Sequence, residues 1–242
     1  MIISNPDFRL EPLVLPGEEV HLWRVDLAAV ADGELRWLKI LSPDEQTKAA
    51  RFRFARDRRR FASTRAVLRT VLGAYLGSEP EKIIFRYAGK GKPFLKPRNS
   101  AESIDFNVSH SGDVALLVFA RGRPVGVDVE QIRDNLDPLA IARRYFSTHE
   151  QSQLAAFGPG ERCAAFFRCW TRKEAYIKAR GDGLSLPLDS FDVSLEARKQ
   201  NALLGCRTDD TDITLWPLED IEVGKGYASA LCVRGHGWKL KS

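Results

Sequence analysis

The chain has 242 residues, which is enough for one large domain or for two domains of modest size. Hydrophobic residues make up 44% of the sequence and charged residues 29%, as in a soluble globular protein, and no apolar run is long enough to cross a membrane. The net charge of +5 favours a negatively charged partner.

Two further features of the composition limit the class of protein. The four cysteines include no C-x-x-C pair and no histidine at ligand spacing, which argues against a zinc site and indicates free thiols in a reducing compartment. The first residues lack the charged and apolar regions of a secretory signal peptide. We therefore expect a cytoplasmic protein without membrane association.

In chain order, the first predicted elements are a strand and an arginine-rich helical region. Residues 20–27 alternate between apolar and polar side chains, which predicts a strand. Ser42, Pro43 and Glu45 have the spacing of an N-cap, an N1 proline and the closing glutamate of a capping box. A second helical stretch is predicted at 61–76.

The helical region carries many cations. They are Lys48, Arg51, Arg53, Arg56, Arg58, Arg59, Arg60, Arg65 and Arg69. Such a concentration favours an anionic partner, either a nucleic acid, a phosphate group or an acidic protein. The alternative is a solvated helix face that binds nothing.

A basic loop follows a strand predicted at 83–87. Its Gly91-Lys92-Pro93 segment is flexible enough to let the backbone approach a nucleotide, although it is not a Walker A pattern. Taken alone, this segment is weak evidence for a nucleotide site.

A Ser-His-Ser motif precedes the next predicted strand, at 114–120. Adjacent residues of an extended chain point to opposite faces, which argues against Ser109 and His110 as a catalytic pair. We interpret both as anion-binding groups. The alternative for His110 is an ordinary turn histidine.

Two carboxylates lie on the β-branched strand predicted at 125–130. Alternate residues of a strand share a face, so Asp128 and Glu130 should point the same way and the valines between them the other way. Two like charges side by side are unfavourable unless a cation lies between them. The alternative is a strand that leaves the core with both acids solvated.

A helix predicted at 166–180 supplies a third acid. Trp170, Glu174 and Lys178 follow at intervals of four and should form one stripe, and Gly181 stands at the end as a stop. With Asp128 and Glu130, Glu174 completes three hard oxygen ligands, which suit Mg²⁺. The alternative is a surface Glu–Lys pair worth about 0.3–0.5 kcal/mol.

The remaining elements complete a weak internal repeat. Strands are predicted at 191–195, 212–216 and 227–233, and the tail at 238–242 is given no element. The order strand, long helix, strand, small-residue strand then occurs twice. We therefore predict an α+β fold of two similar α/β halves, a pseudo-dimer within one chain, with the active site at their interface.

The halves are expected at 1–122 and 123–242. The N-terminal half would supply the basic helix and loop, and the C-terminal half the metal ligands and the catalytic helix.

Four motifs in this order and spacing resemble the 4′-phosphopantetheinyl transferases of the larger, pseudo-dimeric Sfp type. They are Gly91-Lys92-Pro93, Phe106-Asn107-Val108-Ser109-His110-Ser111, Val125-Gly126-Val127-Asp128-Val129-Glu130 and Trp170-Thr171-Arg172-Lys173-Glu174-Ala175-Tyr176-Ile177-Lys178. The resemblance implies Mg²⁺-dependent transfer of phosphopantetheine from coenzyme A to a serine of an apo acyl or peptidyl carrier protein, with release of 3′,5′-ADP.

The resemblance also implies roles for residues of the second half. Asp128, Glu130 and Glu174 correspond to the metal ligands. Lys178 corresponds to the lysine near the reacting phosphate and Lys173 to a neighbouring phosphate contact. Glu174 and Lys178 would be catalytic, with Glu174 accepting the proton either directly or through a metal-bound water.

The coenzyme contacts implied by the resemblance lie mainly in the first half. Ser109 and His110 would meet the phosphates of coenzyme A, with His110 at the 3′-phosphate. The remaining contacts are the adenine-side loop and two further basic groups, namely Gly91, Lys92, Pro93, Lys48 and Arg60. One departure is Glu45, which stands where some members carry a lysine.

Two other functions are consistent with part of the pattern. A metal-dependent nuclease would use the same acids and lysine, but gives no reason for the Ser109–His110 and Gly91–Pro93 segments. A non-catalytic coenzyme A or carrier-protein binding module would not need three acids and Lys178. We therefore expect a monomeric transferase that acts on coenzyme A and a carrier protein, without nucleic acid.

Overall fold

The two larger sheets of the described residues are each covered by a helix of 22 residues. The computed structural model describes residues 1–5, 7–30, 34–87, 93–95, 103–181, 183–207 and 212–242. The strands are β1 (Ile2–Ile3), β2 (Glu19–Asp26), β3 (Phe85–Tyr87), β4 (Pro93–Leu95), β5 (Ile104–Ser111), β6 (Val114–Arg121), β7 (Val125–Gln131), β8 (Phe191–Val193), β9 (Leu203–Cys206), β10 (Leu218–Asp220), β11 (Tyr227–Val233) and β12 (Lys239–Lys241). The helices are α1 (Glu34–Ile40), α2 (Pro43–Ala50), α3 (Ala55–Leu76), α4 (Pro138–Tyr145), α5 (Thr148–Ala156) and α6 (Pro159–Arg180). Two further sheets of two strands pair β3 with β4 and β8 with β9.

The first sheet has the order β1-β2-β6-β5, with β12 also paired to β2. Strands β2 and β6 are antiparallel, with Leu22 opposite Val118, and β5 pairs antiparallel with the other edge of β6. Helix α3 packs on one face of this sheet, where Val67, Leu68 and Leu72 are fully buried. Gly77 ends the helix in the left-handed conformation, which a residue without a Cβ atom adopts readily.

The second sheet has the order β10-β11-β7, and α6 covers one of its faces. Strands β7 and β11 are antiparallel, with Asp128 opposite Ala230. Tyr176 lies at the centre of the second core, with its ring edge-on to both Phe191 and Trp216. Gly181, the predicted stop, caps the C-terminus of α6 in the left-handed conformation.

The two sheets meet through a layer of aliphatic side chains. The buried members of this layer are Val20, Leu22, Val114, Leu116, Val118, Ala120, Val125, Val127, Val129, Val223, Leu231 and Val233. Strand β6 is therefore buried on both faces, which explains its continuous apolar sequence. The same layer confirms that Val127 and Val129 point away from Asp128 and Glu130.

One prediction about the arginine-rich region is wrong in detail. The first helix was expected to carry the cations from Lys48 to Arg60, but α2 ends at Ala50, and α3 begins at Ala55 and not at residue 61. Phe52 turns back to pack on Phe61, with ring centroids 5.4 Å apart. In a straight helix, residues nine apart lie on opposite faces, so this contact requires the break.

Two segments near the C-terminus also differ from the predictions. Residues 212–216 form no strand, because the Asp212 carboxylate accepts hydrogen bonds from the backbone and hydroxyl of Thr214 and holds a 3₁₀ turn. The tail forms β12, with Lys239 paired to Glu19 of β2. The last strand of the chain therefore belongs to the sheet of the first half.

All four cysteines are free thiols, as predicted. Within the described ranges, no helix is both long and apolar enough to cross a membrane.

Candidate active site

A close approach between β7 and α6 brings the predicted acids and lysine together. Gly126 on β7 faces the backbone of α6, where a Cβ atom would lie 2.2 Å from the carbonyl oxygen of Ala175 and 2.3 Å from the amide nitrogen of Ala179. Only glycine allows this distance. It places Lys178, on the facing turn of α6, above the carboxylate two residues further along β7.

Asp128 is the buried centre of this cluster, with 3% of its surface exposed. Its Oδ1 accepts hydrogen bonds from Lys178 Nζ at 2.6 Å and from Ser109 Oγ at 2.7 Å. Lys178 Nζ also donates to Ser109 Oγ at 3.2 Å and to the Val127 carbonyl at 3.3 Å. One ammonium therefore joins α6, β7 and β5.

Glu130 and Glu174 complete the group of acids. Glu130 Oε2 accepts a hydrogen bond from Ser111 Oγ at 2.7 Å. Burial raises the pKa of Glu130, and the charge of Asp128 raises it further. Burial likewise raises the pKa of Glu174, where Lys178 lowers it and Asp128 and Glu130 raise it. The three carboxylates thus repel one another around a single lysine.

The donor types in this cluster fit a magnesium ion. Asp128 Oδ2 is buried and has no hydrogen-bond partner among the described residues, so one oxygen of the central acid is left for a cation. As placed, however, no three acid, histidine or cysteine side chains in the described ranges could hold one ion together. Lys178 instead neutralises Asp128. The predicted ligand set of Asp128, Glu130 and Glu174 therefore remains a proposal.

His110 lies on the opposite face of β5 from the serines. The motif is the end of strand β5 and not a turn before a strand, and the alternation that separates Ser109 from His110 is the predicted one. Burial lowers the pKa of His110, and the positive charges of Lys178 and Arg60 lower it further, although part of the side chain is exposed. Arg60 Nη2 donates to Asp113 Oδ1 at 2.6 Å. His110 thus lies in the field of two cations.

Of the other predicted first-half contacts, the structure describes Lys48 and Pro93. Lys48 is exposed on α2, with Nζ 5.3 Å from the centre of the Phe61 ring. Pro93 begins β4 opposite Tyr87 of β3. Gly91 and Lys92 lie outside the described residues.

Lys173 does not join the cluster. Its side chain is fully buried and pairs with Glu150 Oε1 at 2.7 Å. Its Nζ also donates to the carbonyl oxygens of Leu188 and Phe191, both at 2.7 Å. These three acceptors use all the hydrogens of an ammonium group. The structure gives Lys173 a structural position in the second core and not the phosphate contact that the resemblance implies.

Glu45 has a structural role beyond the capping box that the sequence predicts. It is buried and accepts hydrogen bonds from Arg65 Nε at 2.7 Å and from Arg69 Nε at 2.6 Å. It also accepts from the backbone N–H of Ser42, which confirms that side of the predicted capping box. The glutamate that stands where some members carry a lysine therefore ties α2 to α3. Only the capping pattern hinted at a fixed glutamate.

Two family models together match most of the chain. The model described as "4'-phosphopantetheinyl transferase, N-terminal" matches residues 32–121. The model described as "4'-phosphopantetheinyl transferase superfamily" matches residues 124–232. The second match contains Asp128, Glu130, Glu174 and Lys178, and the first contains Ser109 and His110.

Curated proteins with this activity are similar over most of their length. The 4'-phosphopantetheinyl transferase HetI of Nostoc sp. is 35% identical over 229 residues, which cover 95% of this chain and 93% of that protein. The 4'-phosphopantetheinyl transferase Sfp of Bacillus subtilis is 32% identical over 197 residues, which cover 81% of this chain and 84% of that protein. The L-aminoadipate-semialdehyde dehydrogenase-phosphopantetheinyl transferase of Xenopus laevis is 29% identical over 227 residues, which cover 87% of this chain and 75% of that protein. The chain therefore belongs to the 4′-phosphopantetheinyl transferase superfamily, as an enzyme of the Sfp type.

Proposed function

We propose that this enzyme transfers the 4′-phosphopantetheine group of coenzyme A to a serine of an apo acyl or peptidyl carrier protein and releases 3′,5′-ADP. The observation that carries the proposal is the contact of Lys178 with Asp128, beside Glu130 and Glu174 and next to the cationic surroundings of His110. Acids and bases so arranged suit attack on a pyrophosphate, which builds negative charge on phosphoryl oxygens.

The second half would hold the reacting phosphates. Asp128, Glu130 and Glu174 supply carboxylate oxygens for Mg²⁺, which neutralises phosphoryl charge when it is bound. Lys178 would transfer part of its hydrogen bonding from Asp128 to a phosphoryl oxygen. Glu174 is suited to accept the proton of the attacking serine, directly or through water, because its raised pKa makes it a stronger base than an ordinary carboxylate.

The first half would hold the remainder of coenzyme A. His110 and Arg60 lie on the α3 side of β5, where their nitrogen groups favour a phosphate. This position supports the assignment of His110 to the 3′-phosphate. Lys48 and the Gly91-Lys92-Pro93 segment remain proposed contacts to the same molecule.

A basic and aromatic corner between α2 and α3 fits the second substrate. Arg51, Arg53 and Arg56 are exposed there, together with Phe52 and Phe54. The guanidinium group of Arg53 lies 5.5 Å from the centre of the Phe54 ring. Cations around exposed aromatic rings suit an acidic protein surface with apolar side chains, which electrostatic attraction would draw to the enzyme.

The test is mass spectrometry of an apo carrier protein incubated with enzyme, coenzyme A and Mg²⁺. A mass gain of one phosphopantetheine group, together with 3′,5′-ADP in the supernatant, is the expected result. Asp128→Ala should abolish the gain while the protein stays folded, because Asp128 centres the acid cluster. Modification without added Mg²⁺ in the presence of a chelator would remove the metal from the proposal, and no mass gain with any carrier protein would reject the transfer itself.

A further inference from the structure

The two sheets are joined at one place by side chains instead of a strand-to-strand ladder. β5 is an edge of the first sheet and β7 is an edge of the second. Three alternate residues of β5 each accept a hydrogen bond from a backbone N–H of β7. The pairs are Val127 N–H to Asn107 Oδ1 at 2.9 Å, Val129 N–H to Ser109 Oγ at 3.4 Å and Gln131 N–H to Ser111 Oγ at 3.1 Å.

Each of these acceptors lies 20 positions before its donor, so one register governs all three contacts. Alternate side chains share one face of a strand, and alternate N–H groups share one edge. The match is therefore a property of the way the two strands lie side by side. A slip of one residue would break every contact at once.

The two serines of this row also hold the two acids of β7. Ser109 donates to Asp128 and Ser111 donates to Glu130, both at 2.7 Å. A hydroxyl group has one hydrogen and two lone pairs. Ser111 Oγ accepts from the Gln131 N–H with one lone pair and donates its hydrogen to Glu130. The backbone N–H therefore orients the hydroxyl group toward the acid. Asn107, by contrast, joins the strands without touching an acid.

Glu130 depends on this contact more than its neighbour does. Asp128 also accepts a hydrogen bond from Lys178 Nζ at 2.6 Å, whereas the ion pair of Glu130 with Arg133 is 4.0 Å long and exposed, and Lys178 acts on Glu130 through its charge. Without Ser111, the Glu130 side chain, which is 27% exposed, could turn toward solvent. The position of this acid is thus set by a residue of the other half.

We propose that Ser111 is a positioning residue that fixes Glu130 for the metal, so that the docking of the first half on the second sets the geometry of the acid cluster. The inference rests on the proposed function, because it takes Glu130 as a ligand. Ser111 is not itself a catalytic residue. Removal of its hydroxyl group should weaken metal binding and leave coenzyme A binding nearly unchanged.

The experiment compares Ser111→Ala, Ser111→Thr and Asn107→Ala with the unchanged enzyme. Mn²⁺ binding, measured by electron paramagnetic resonance without substrate and with coenzyme A, gives a readout that is independent of turnover. Steady-state kinetics then give the half-saturating Mg²⁺ concentration and the coenzyme KM. Thermal unfolding of each variant measures how much the lost contact between the sheets destabilises the protein.

For Ser111→Ala we expect the Mn²⁺ affinity to fall and the half-saturating Mg²⁺ concentration to rise, each by about tenfold or more. This is the usual effect of losing a hydrogen-bond partner of a metal ligand. Ser111→Thr keeps the hydroxyl group and should restore both values. Asn107→Ala should lower the melting temperature and leave metal affinity unchanged, because Asn107 accepts its hydrogen bond from the Val127 backbone and not from a residue that holds an acid.

Three results would overturn the inference. Wild-type metal affinity in Ser111→Ala would show that Glu130 does not need its partner. Equal loss of metal affinity in Asn107→Ala would show that only the docking of the sheets matters. If the unchanged enzyme transfers phosphopantetheine but binds no Mn²⁺ under either condition, the metal assignment fails together with this inference, while the transfer reaction stands.

Discussion

Lys178 Nζ lies 2.6 Å from Asp128 Oδ1, across the contact between helix α6 and strand β7. The side chain of Asp128 is 5% exposed and that of Lys178 is 26% exposed, so the lysine is the part of this pair that solvent and substrate can reach. A phosphate that enters the cluster would therefore meet the ammonium group before it meets the acid.

Lys178→Ala should lower kcat by about 10²–10³-fold and raise the coenzyme KM by much less. A donor that meets charge growing in the transition state acts mainly on kcat. Steady-state kinetics at saturating carrier protein and Mg²⁺ measure both constants. If Lys178 only neutralised Asp128, Lys178→Arg should restore the rate and Lys178→Ala should mainly reduce stability. A wild-type kcat with a raised coenzyme KM would make Lys178 a binding residue.

His110→Ala should lower the affinity for coenzyme A about tenfold or more and lower the affinity for 3′-dephospho-coenzyme A much less. The histidine lies in the field of Arg60 and Lys178, and a lost bond to a charged phosphate costs about 1.5–3 kcal/mol. Calorimetry with both ligands gives the ratio of the dissociation constants of the variant and the unchanged enzyme for each ligand. Equal losses would place the 3′-phosphate elsewhere.

The lowered pKa of His110 adds a pH test of the same contact. Because its folded pKa lies below its unfolded pKa, His110 stabilises the free enzyme above the unfolded pKa, and this contribution is lost as pH falls through the folded value. A bound phosphate raises the pKa again, so coenzyme A should bind with proton uptake near that pH. Calorimetry in two buffers of different ionisation enthalpy measures the uptake, which His110→Ala should remove.

Gly126→Ala should lower the free energy of unfolding by about 3 kcal/mol or more and abolish activity. The new methyl group would lie 2.2 Å from a backbone oxygen of α6, and overpacked sites cost about 1–3 kcal/mol even when side chains can move. Gly205→Ala is the matched control, since nothing lies within 4 Å of its Cβ position. Urea unfolding compares them, and similar midpoints would contradict the close approach.

Glu45→Gln should destabilise the first half by about 3–5 kcal/mol. It leaves the buried Arg69 and the neighbouring Arg65 without their shared anion, and breaking a buried ion pair typically has this cost. Glu79→Gln is the control, because the pair of Glu79 and Lys82 is exposed and worth less than about 1 kcal/mol. Equal thermal shifts in the two variants would show that the buried network adds no stability.

Arg53→Glu with Arg56→Glu should raise the KM for the carrier protein and leave the coenzyme KM unchanged. Both arginines are exposed at the corner between α2 and α3, and charge reversal there repels an acidic partner. Increasing salt should also raise the KM of the unchanged enzyme for the carrier protein, because salt screens the attraction between the two proteins. A parallel rise of both KM values would assign this corner to coenzyme A.

The sequence by itself determined the elements that depend on neighbouring residues. Glu45 accepts a hydrogen bond from the Ser42 N–H at the start of α2, as the predicted capping box requires, Gly181 ends α6, and the alternation of β7 separates its valines from its acids. These features follow from backbone geometry within one turn or one pleat, so a short stretch of sequence contains all the information they need.

The tertiary structure alone decided which groups meet. Lys173 and Lys178 are both basic residues of α6, yet one is buried against Glu150 and the other reaches Asp128. The break between α2 and α3, the burial of Glu45 and the pairing of β12 with β2 also depend on residues far apart in the chain. Local periodicity gives a residue its face, but the packing of one element on another decides what that face contacts.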